Sequence, residues 1–217
     1  LDYFARAGQL GLKMAGIDPR FTLGELSQAR DQVIRRLVAS GLFDANRRHS
    51  LPAAPLRVGV VTSVGTAAWH DFRDELVRSA IGFRLTVCDT RVQGEGAERS
   101  VAAAIGTLAR RAATGLDCIV VIRGGGARNE LATFDAEAIA LAIAAAPVPV
   151  ITGLGHEIDR SVADEVAHTV AKTPTAAARV LIDAVCAYRD AAEARFAQVL
   201  QTADRRLDGA HAALVER

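Results

Sequence analysis

Residues 118–126 read CIVVIRGGG, and this stretch says more about the fold than any other. Five apolar residues rich in Val and Ile come first, without the alternation of a half-buried strand, which predicts a strand buried on both faces. Three glycines then let the backbone adopt positive φ or approach a ligand closely. We therefore expect a strand of a parallel sheet, followed by a functional loop at its carboxyl end.

Three further apolar runs of this kind lie along the chain, at residues 57–61, 84–88 and 148–151. Helix-like segments separate the four runs, at residues 66–79, 97–113 and 135–145. Strands that alternate with helices build a parallel sheet covered by helices on both faces. The predicted fold class is therefore α/β, with an open, mostly parallel sheet and flanking helices.

A linker helix is expected before the sheet. Thr22 and Glu25 form a capping box that opens this helix, and Gly41 closes it. The chain begins without Met in a stretch that has no clear period, so we expect residues 1–55 to be a linker and helix that follow a missing N-terminal domain. The apolar residues expected on one side of the helix are Leu26, Val33, Ile34, Leu37 and Val38.

The end of the chain predicts a long helix, which Thr173 and Pro174 begin as N-cap and first helical residue. From Leu181 to Leu214 apolar residues recur at steps of three or four, on average about 3.67, which is typical of a nearly straight helical coil. We expect residues 56–182 to be the α/β domain and residues 183–217 to be the start of a longer coil. The alternative is a capping helix folded back on the domain.

Composition excludes several classes of protein. The 217 residues are 50% hydrophobic and 24% charged, which excludes a disordered or low-complexity chain. The net charge of +1 neither predicts nor excludes a polyanionic partner. No apolar stretch is long enough to span a membrane. Cys88, Cys118 and Cys186 lie far apart in apolar runs, so they offer neither a disulfide framework nor a metal site, and a reducing cytosol is the expected compartment.

Candidate phosphate-binding residues follow the first and third strands. Thr62 and Ser63 lead into a helix, whose free N–H groups and dipole favour a phosphate, although ordinary capping accounts for the same residues. Arg123 precedes the glycines, and its planar guanidinium suits a phosphate, the alternative being a solvated arginine on a surface loop. The candidate phosphate contacts at these glycines are Gly124, Gly125 and Gly126.

The fourth strand ends in the sequence GLGHEID at residues 153–159, which places an imidazole and two carboxylates beside two glycines. His156 has an ordinary pKa of about 6.5 and exchanges protons near neutral pH, with a carboxylate to set its tautomer. A histidine with a structural role is the alternative. Asp71 lies within the first helix of the sheet domain, where an aspartate by itself indicates only a surface charge.

Taken in order, the motifs of this chain resemble the large subunit of exonuclease VII. They are VTS at 61–63, HD at 70–71, VQG at 92–94, IRGGG at 122–126, GHEID at 155–159 and TPTAAA at 173–178. The resemblance implies a cytoplasmic enzyme that degrades single-stranded DNA from either end to 5'-phosphorylated oligonucleotides without requiring a divalent metal. It also implies a missing N-terminal OB domain and a C-terminal coil that engages the small subunit.

The resemblance implies a role for each of four catalytic residues. Arg123, with the amides of residues 124–126, would stabilise charge on the phosphorus, and His156 would move the proton. Asp71 or Asp159 would orient the imidazole or the attacking water, and which acid does which is open. The chain has ELATFD at 130–135 where the family often has Asp-Leu-Trp-x-Phe-Asn. The loss of that Trp leaves Phe134 as a substitute platform for base stacking, and Lys172 adds a phosphate contact.

Two other functions stay open at this point. Asp71, Glu157 and Asp159 could hold Mg²⁺ in a metal-dependent phosphohydrolase, because Mg²⁺ binds through carboxylates and water. A non-catalytic module could instead hold nucleotides or nucleic acid at Ser63 and residues 124–126, although the cluster of His and acids argues against it. A dinucleotide-binding oxidoreductase is poorly supported because no GxGxxG follows the first strand.

Overall fold

The computed structural model describes residues 2–4, 9–11, 19–112, 115–124, 128–155 and 160–215. Two short strands, β1 and β2, pair antiparallel near the start of the chain. Five further strands form one sheet in the order β4-β3-β5-β6-β7, and every neighbouring pair is parallel, which confirms the predicted α/β class. The strands are β1 Asp2–Phe4, β2 Gln9–Gly11, β3 Arg57–Thr62, β4 Arg84–Asp89, β5 Cys118–Ile122, β6 Val150–Gly153 and β7 Thr169–Ala171.

Helices cover both faces of this sheet. They are α1 Pro19–Ala39, α2 Ala67–Arg78, α3 Ala97–Ala112, α4 Glu137–Ala144, α5 Val162–Val166 and α6 Pro174–Val215, with 3-10 turns at Asn46–Arg48 and Arg128–Asp135. The α2 and α6 helices pack on one face around Phe72, whereas α3 and α4 pack on the other around Ile105. The two apolar layers are separate because successive residues of a buried strand point to opposite faces.

The strands follow the sequence prediction closely, and the differences have local causes. The third run is β5 as predicted, and the first two gain one residue each. The fourth strand begins at Val150 instead of Val148, because Pro149 has no N–H to donate to the ladder. The carbonyl of Pro149, just before the strand, still accepts a hydrogen bond from the amide of Ile119. The strand β7 and the helix α5 are not predicted by the sequence pattern.

The prediction of the linker helix needs two corrections. The linker helix begins at Pro19 and not at Thr22, since a proline fits the first helical position. Gly41 ends it as expected, with φ of 70°. Val38 is 58% exposed and not on the buried side, because it lies about 140° around the helix from buried Val33. The helix predicted over 135–145 is α4, which begins two residues later and ends one residue earlier, and the 3-10 turn lies before it.

The amino-terminal end of the sheet is closed by hydrogen bonds. The amide group of Asn46 is fully buried and makes four of them. Its Nδ2 donates to the carbonyls of Ile143 and Val148 at 3.0 and 3.1 Å, and its Oδ1 accepts from the amides of Val150 and His168 at 2.8 and 3.2 Å. One side chain of the linker therefore ties together the segments that lead into β6 and β7.

The α6 helix is long and is exposed over most of its length. Thr173 caps it, since its Oγ1 accepts from the amide of Ala176 at 3.0 Å, and Pro174 is its first residue, as predicted. Ala177 and Leu181 are fully buried against the sheet, whereas residues 187–211 are exposed. Over the described part the helix continues as one rod instead of folding back. No helix in the described part of the chain is both long and apolar enough to cross a membrane.

Candidate functional site

The strand order places a crevice between β3 and β5. The chain passes from β3 outward to β4 and then returns to the other side of β3 for β5. In open α/β sheets, ligands bind outside the carboxyl ends of the strands at such a reversal. A cleft of about 450 Å³ lies there in this protein, formed by the ends of β3, β4 and β5. It is lined by Ser63, Thr66, Ala67, Arg91, Val92, Gln93 and Gly124.

The loop from β3 to α2 supplies the hydroxyl side of the cleft. Thr66 is the N-cap of α2, where its Oγ1 accepts from the amide of Trp69 and donates to the carbonyl of Ser63 at 2.7 Å. Gly65 permits the turn with φ of 85°. The amide of Val64 already donates to the carboxylate of Asp89 at 2.9 Å. The predicted contact Ser63 thus lines the cleft, beside a helix N-terminus that favours anions.

Thr62 lies differently from its neighbour. Its side chain is fully buried and is not among the residues that line the cleft. Its Oγ1 makes no hydrogen bond to any described residue. As the last residue of β3, Thr62 accepts a hydrogen bond from the amide of Thr90 through its carbonyl oxygen. Thr62 is therefore the buried carboxyl-terminal residue of β3, just before Ser63, and its predicted phosphate contact stays a prediction.

Arg123 occupies the carboxyl end of β5 and is fully buried. Its amide donates to the carbonyl of Gly153 at 3.2 Å, and its Nη1 lies 3.5 Å from the carbonyl oxygen of Leu154. Both carbonyls belong to the end of β6 and the residue after it. The next residue, Gly124, lines the cleft, and a Cβ there would be 3.6 Å from Ala68, an ordinary contact. Space alone therefore does not require glycine at position 124.

Of the four predicted catalytic residues, the structure describes Asp71 and Arg123. Asp71 is exposed on α2, one helical turn beyond Ala67 of the cleft wall and so on the same side of that helix. Gly155, with φ of 87°, lies beside the carbonyl of Arg123, at 3.9 Å from the Cβ position. His156, Glu157 and Asp159 lie outside the described residues, as do Gly125 and Gly126. Their roles stay predictions.

Phe134 is not available for base stacking, which corrects one expectation. It is fully buried in the apolar layer under α3 and α4. Lys172 is exposed at the start of the turn before α6, and its phosphate contact stays a prediction. In the described part of the chain, no group of three or more His, Cys, Asp or Glu side chains is arranged to hold a metal ion.

Sequence reasoning missed two sets of residues at this end of the sheet. Arg91 and Gln93 line the cleft on the loop after β4, although no local pattern distinguishes that arginine from others. Asp164 lies buried at the start of α5 and receives hydrogen bonds from Thr152 and Ser161. The Ser161-x-x-Asp164 spacing is a capping box and is the signal that could have located this carboxylate.

A second, half-buried acid contacts the same short helix. Asp135 accepts a hydrogen bond from the amide of Val162 at 2.9 Å. Burial raises the pKa of the Asp135 carboxyl, against the lowering effect of that hydrogen bond and of the Arg30 charge. The nearby carboxylate of Asp164 raises the pKa of Asp135 further. Two carboxyl groups thus hold the first turn of α5.

Comparison with known proteins gives a consistent result. The family model described as exonuclease VII, large subunit, matches residues 42–216. The chain is similar to the exodeoxyribonuclease 7 large subunit of Moorella thermoacetica, with 43% identity over 179 residues that cover 82% of this chain and 44% of that protein. Proteins of the same name from Geotalea daltonii and Parasynechococcus marenigrum are 36% and 39% identical. Those two alignments cover 97% and 100% of this chain, and 46% and 56% of the relatives. The chain spans about half the length of the curated relatives it matches.

Proposed function

The chain belongs to the family of exonuclease VII large subunits, and from this premise we propose that it is the catalytic part of a single-stranded DNA exonuclease. The enzyme hydrolyses phosphodiester bonds from either end of the strand and releases 5'-phosphorylated oligonucleotides. The observation that carries the proposal is the burial of Arg123. Its permanently charged guanidinium is fully buried, and the next residue, Gly124, lines the cleft. Arginine is rarely found fully buried, and a permanently charged, planar guanidinium at the carboxyl end of a strand is suited to a phosphate.

The cleft is suited to a phosphate of the DNA backbone. Ser63 and the N-terminus of α2 line the cleft together with Arg91 from the loop after β4. Hydroxyl groups, arginine and a helix N-terminus are the groups that contact nucleic-acid phosphates. Because the Arg123 side chain has no exposed surface, a phosphate reaches it only when neighbouring residues move aside. We expect DNA binding to produce that movement.

The proposed chemistry is in-line attack of water on phosphorus. Arg123 and the amides of residues 124–126 stabilise the negative charge that develops on the phosphate oxygens. His156 transfers the proton from the attacking water or to the leaving oxygen. Asp71 or Asp159 orients the water or the imidazole. In this proposal no metal ion is required, because the guanidinium supplies the positive charge.

A metal-dependent phosphohydrolase is the competing mechanism for the same residues. Asp71, Glu157 and Asp159 would then hold Mg²⁺, which would polarise the phosphate and activate water. Asp71 is exposed and accessible to such an ion. The two mechanisms differ in one simple respect, since a chelator removes activity only in the second.

The first experiment uses the full-length large subunit with its small subunit, a 5'-labelled single strand and a matched duplex, each with excess EDTA. Degradation of the single strand alone is the expected result, and it supports both the substrate class and the metal-free route. Activity that returns only with Mg²⁺ would retain the nuclease and overturn the arginine mechanism. No cleavage in either buffer would indicate a module that binds nucleic acid without hydrolysing it.

The partner proposed for α6 is the small subunit of exonuclease VII. The apolar row of this helix continues past the sheet, and its exposed members include Tyr188, Phe196, Val199 and Leu207. An exposed row of this length on a helix is suited to a helical partner. We expect Phe196→Glu with Leu207→Glu to abolish co-purification of the small subunit. The matched variant Arg195→Glu with Asp208→Lys, on the same helix, is expected to retain it.

The proposed compartment is the cytoplasm. Cys88, Cys118 and Cys186 are all free thiols. Free thiols are ordinary in a reducing compartment and uncommon in exported proteins. Fractionation of cells that produce the full-length protein tests this location, with recovery in the membrane or exported fraction as the contradicting result.

A further inference from the structure

The buried carboxylate of Asp164 joins two segments of the chain that flank the candidate site. Its Oδ1 accepts a hydrogen bond from Thr152 Oγ1 at 2.6 Å. Its Oδ2 accepts from the Oγ and the amide of Ser161 at 2.8 and 3.0 Å. The exposed fractions of Thr152, Ser161 and Asp164 are 0%, 3% and 6%, so these bonds form away from water, where each is strong and costly to lose.

The capping box explains only half of this arrangement. A cap of α5 needs the bonds between Ser161 and Asp164, and those are present in both directions. The bond to Thr152 reaches a different element, because Thr152 lies in β6. Both ends of the segment between residues 152 and 161 are therefore attached to one side chain.

Thr152 in turn leads directly to the groups that hold Arg123. The carbonyl of Gly153 accepts from the Arg123 amide at 3.2 Å, and the carbonyl of Leu154 lies 3.5 Å from the guanidinium. The sheet ladder already pairs Thr152 and Gly153 with strands on both sides. The bond to Asp164 adds a side-chain attachment two residues before Leu154, whose carbonyl lies past the end of the ladder. The contacts form a chain from Asp164 through Thr152 to Arg123.

We propose that Asp164 is a positioning residue, which holds the Thr152–Leu154 backbone so that its carbonyls fix Arg123. The consequence for DNA hydrolysis rests on the proposed function. Asp164 is not among the described residues that line the cleft. Small displacements of a positioned catalytic group reduce rates by large factors, so the loss of this attachment lowers turnover more than binding.

Thr152→Val tests the proposal with little change in shape, because Val lacks the hydroxyl and the capping box remains. The protein is the full-length large subunit with its small subunit, acting on a labelled single strand. We expect kcat to fall by about tenfold or more, with KM within about twofold. Thr152→Ser retains the hydroxyl and is expected to restore the rate. Asp164→Asn is expected to lose more, and Thr152→Val keeps the test valid if that variant does not fold.

Asp135→Asn is the matched control at the same helix. Its amide oxygen still accepts from Val162, and Asp135 has no contact with Thr152 among the hydrogen bonds described here. The substitution removes the charge of a half-buried acid that contacts the first turn of α5, and it leaves the bond between Thr152 and Asp164 in place. Activity close to that of the wild type is expected.

Amide hydrogen exchange gives a readout that does not depend on activity. In Thr152→Val the Arg123 amide is expected to exchange about tenfold faster, whereas the amide of Val60 in β3 is unchanged. Unchanged exchange at Arg123 would overturn the proposal, and so would faster exchange with an unaltered kcat in an active enzyme. If the Arg123 amide exchanges faster in Thr152→Val but the wild-type enzyme does not degrade DNA, the proposed function is refuted. The positioning role of Asp164 is then still supported.

Discussion

The two ends of the parallel sheet differ in how their polar groups are used. At the amino-terminal end, the fully buried Asn46 makes four hydrogen bonds, and Arg57 pairs with Asp117 at 2.9 Å. At the carboxyl-terminal end, the protein buries the charged Arg123 and leaves the Thr62 hydroxyl without a hydrogen bond to a described residue. At the amino-terminal end the polar groups stabilise the fold. At the carboxyl-terminal end the polar groups are arranged for a site instead.

This difference teaches how an open α/β sheet divides its tasks. Because the strands joined by the crossover connections are all parallel, every strand of the sheet begins at the same end. Hydrogen bonds that join neighbouring segments of the chain can therefore form at the amino-terminal end. The carboxyl ends meet the N-termini of the following helices and collect loops that no regular element fixes. Substitutions at the two ends are therefore expected to separate activity from stability.

The largest effect is expected from Arg123→Ala. It removes the guanidinium proposed to stabilise the developing charge, so the rate of single-strand degradation should fall by about 10³-fold. The measurement is the initial rate on a 5'-labelled strand with the full-length enzyme. Arg84→Ala, an exposed arginine of the other end of the sheet, is the control and should keep the wild-type rate. A wild-type rate in Arg123→Ala would remove this residue from the site.

A large loss of stability is expected from Asn46→Ala at the opposite end. The substitution leaves two amides and two carbonyls without their partner, one of each being buried, which costs about 3–5 kcal/mol in the free energy of unfolding. Urea unfolding measures it. Asn46→Asp keeps the acceptor oxygen but turns a carboxylate oxygen towards the carbonyls of Ile143 and Val148, so it should lose at least as much. The rate per folded molecule should stay unchanged, and a loss of catalytic rate without a loss of stability would contradict the separation of the two ends.

A smaller and pH-dependent effect is expected from Asp117→Asn. Burial alone would raise the pKa of the Asp117 carboxyl, but hydrogen bonds from the side chain and backbone of Arg57 lower it overall. A lowered folded-state pKa contributes stability above the unfolded value of about 4, and this contribution is lost as pH falls through the folded value. At pH 7 the variant should be about 1 kcal/mol less stable than the wild type. The gap in urea-unfolding free energy should close in acid, and a gap that persists there would exclude the ion pair as its cause.

The smallest effect concerns the thiol of Cys118, the first residue of β5. Burial, with a minor contribution from the Asp117 charge, raises the pKa of this thiol to about 12, so almost no thiolate is present near pH 8. Iodoacetamide followed by mass spectrometry should modify half-buried Cys88 and Cys186 in the native protein and leave Cys118 unmodified. All three should react in urea. Equal native reactivity of Cys118 and Cys88 would show that the amino-terminal end opens easily.

Three of the four longest strands, β3, β5 and β6, could be predicted from the sequence because they are mainly apolar runs buried on both faces. The strand β4 was located as well, but its predicted burial on both faces is wrong, because it is the edge strand of the sheet and is partly exposed along its length. Burial on both faces leaves a composition that no loop imitates, so β5 was located without error. The β7 strand has three residues, of which only Ala171 is buried, and α5 has five. Elements this short carry too few periods to be recognised. They form because β6 and Asp164 provide partners, and the sequence does not show those partners.

The candidate site could be predicted only in part. Ser63 and Gly124 follow from the rule that strand ends carry the site, and the structure places both in the cleft. The burial of Arg123 did not follow, since the sequence suggested a fork of donors directed at a ligand. Asp164 was missed because its role depends on Thr152, twelve residues earlier on another element. The roles of His156 and Asp159 stay predictions.

The attachment of α6 has a mechanical consequence. At 42 residues the helix is about 63 Å long, and its first turns are wedged against the end of β6. A Cβ at Gly153 would lie 3.1 Å from both the Cβ of Ala177 and the carbonyl oxygen of Thr173, so this contact has no slack. The helix is thus a lever whose pivot lies beside Gly153, the residue whose carbonyl accepts the hydrogen bond from the Arg123 amide. A tilt of about 5° at the first turns displaces the far end of the helix by about 5 Å. Conversely, a force that moves the far end by several ångströms produces only a small displacement beside the site.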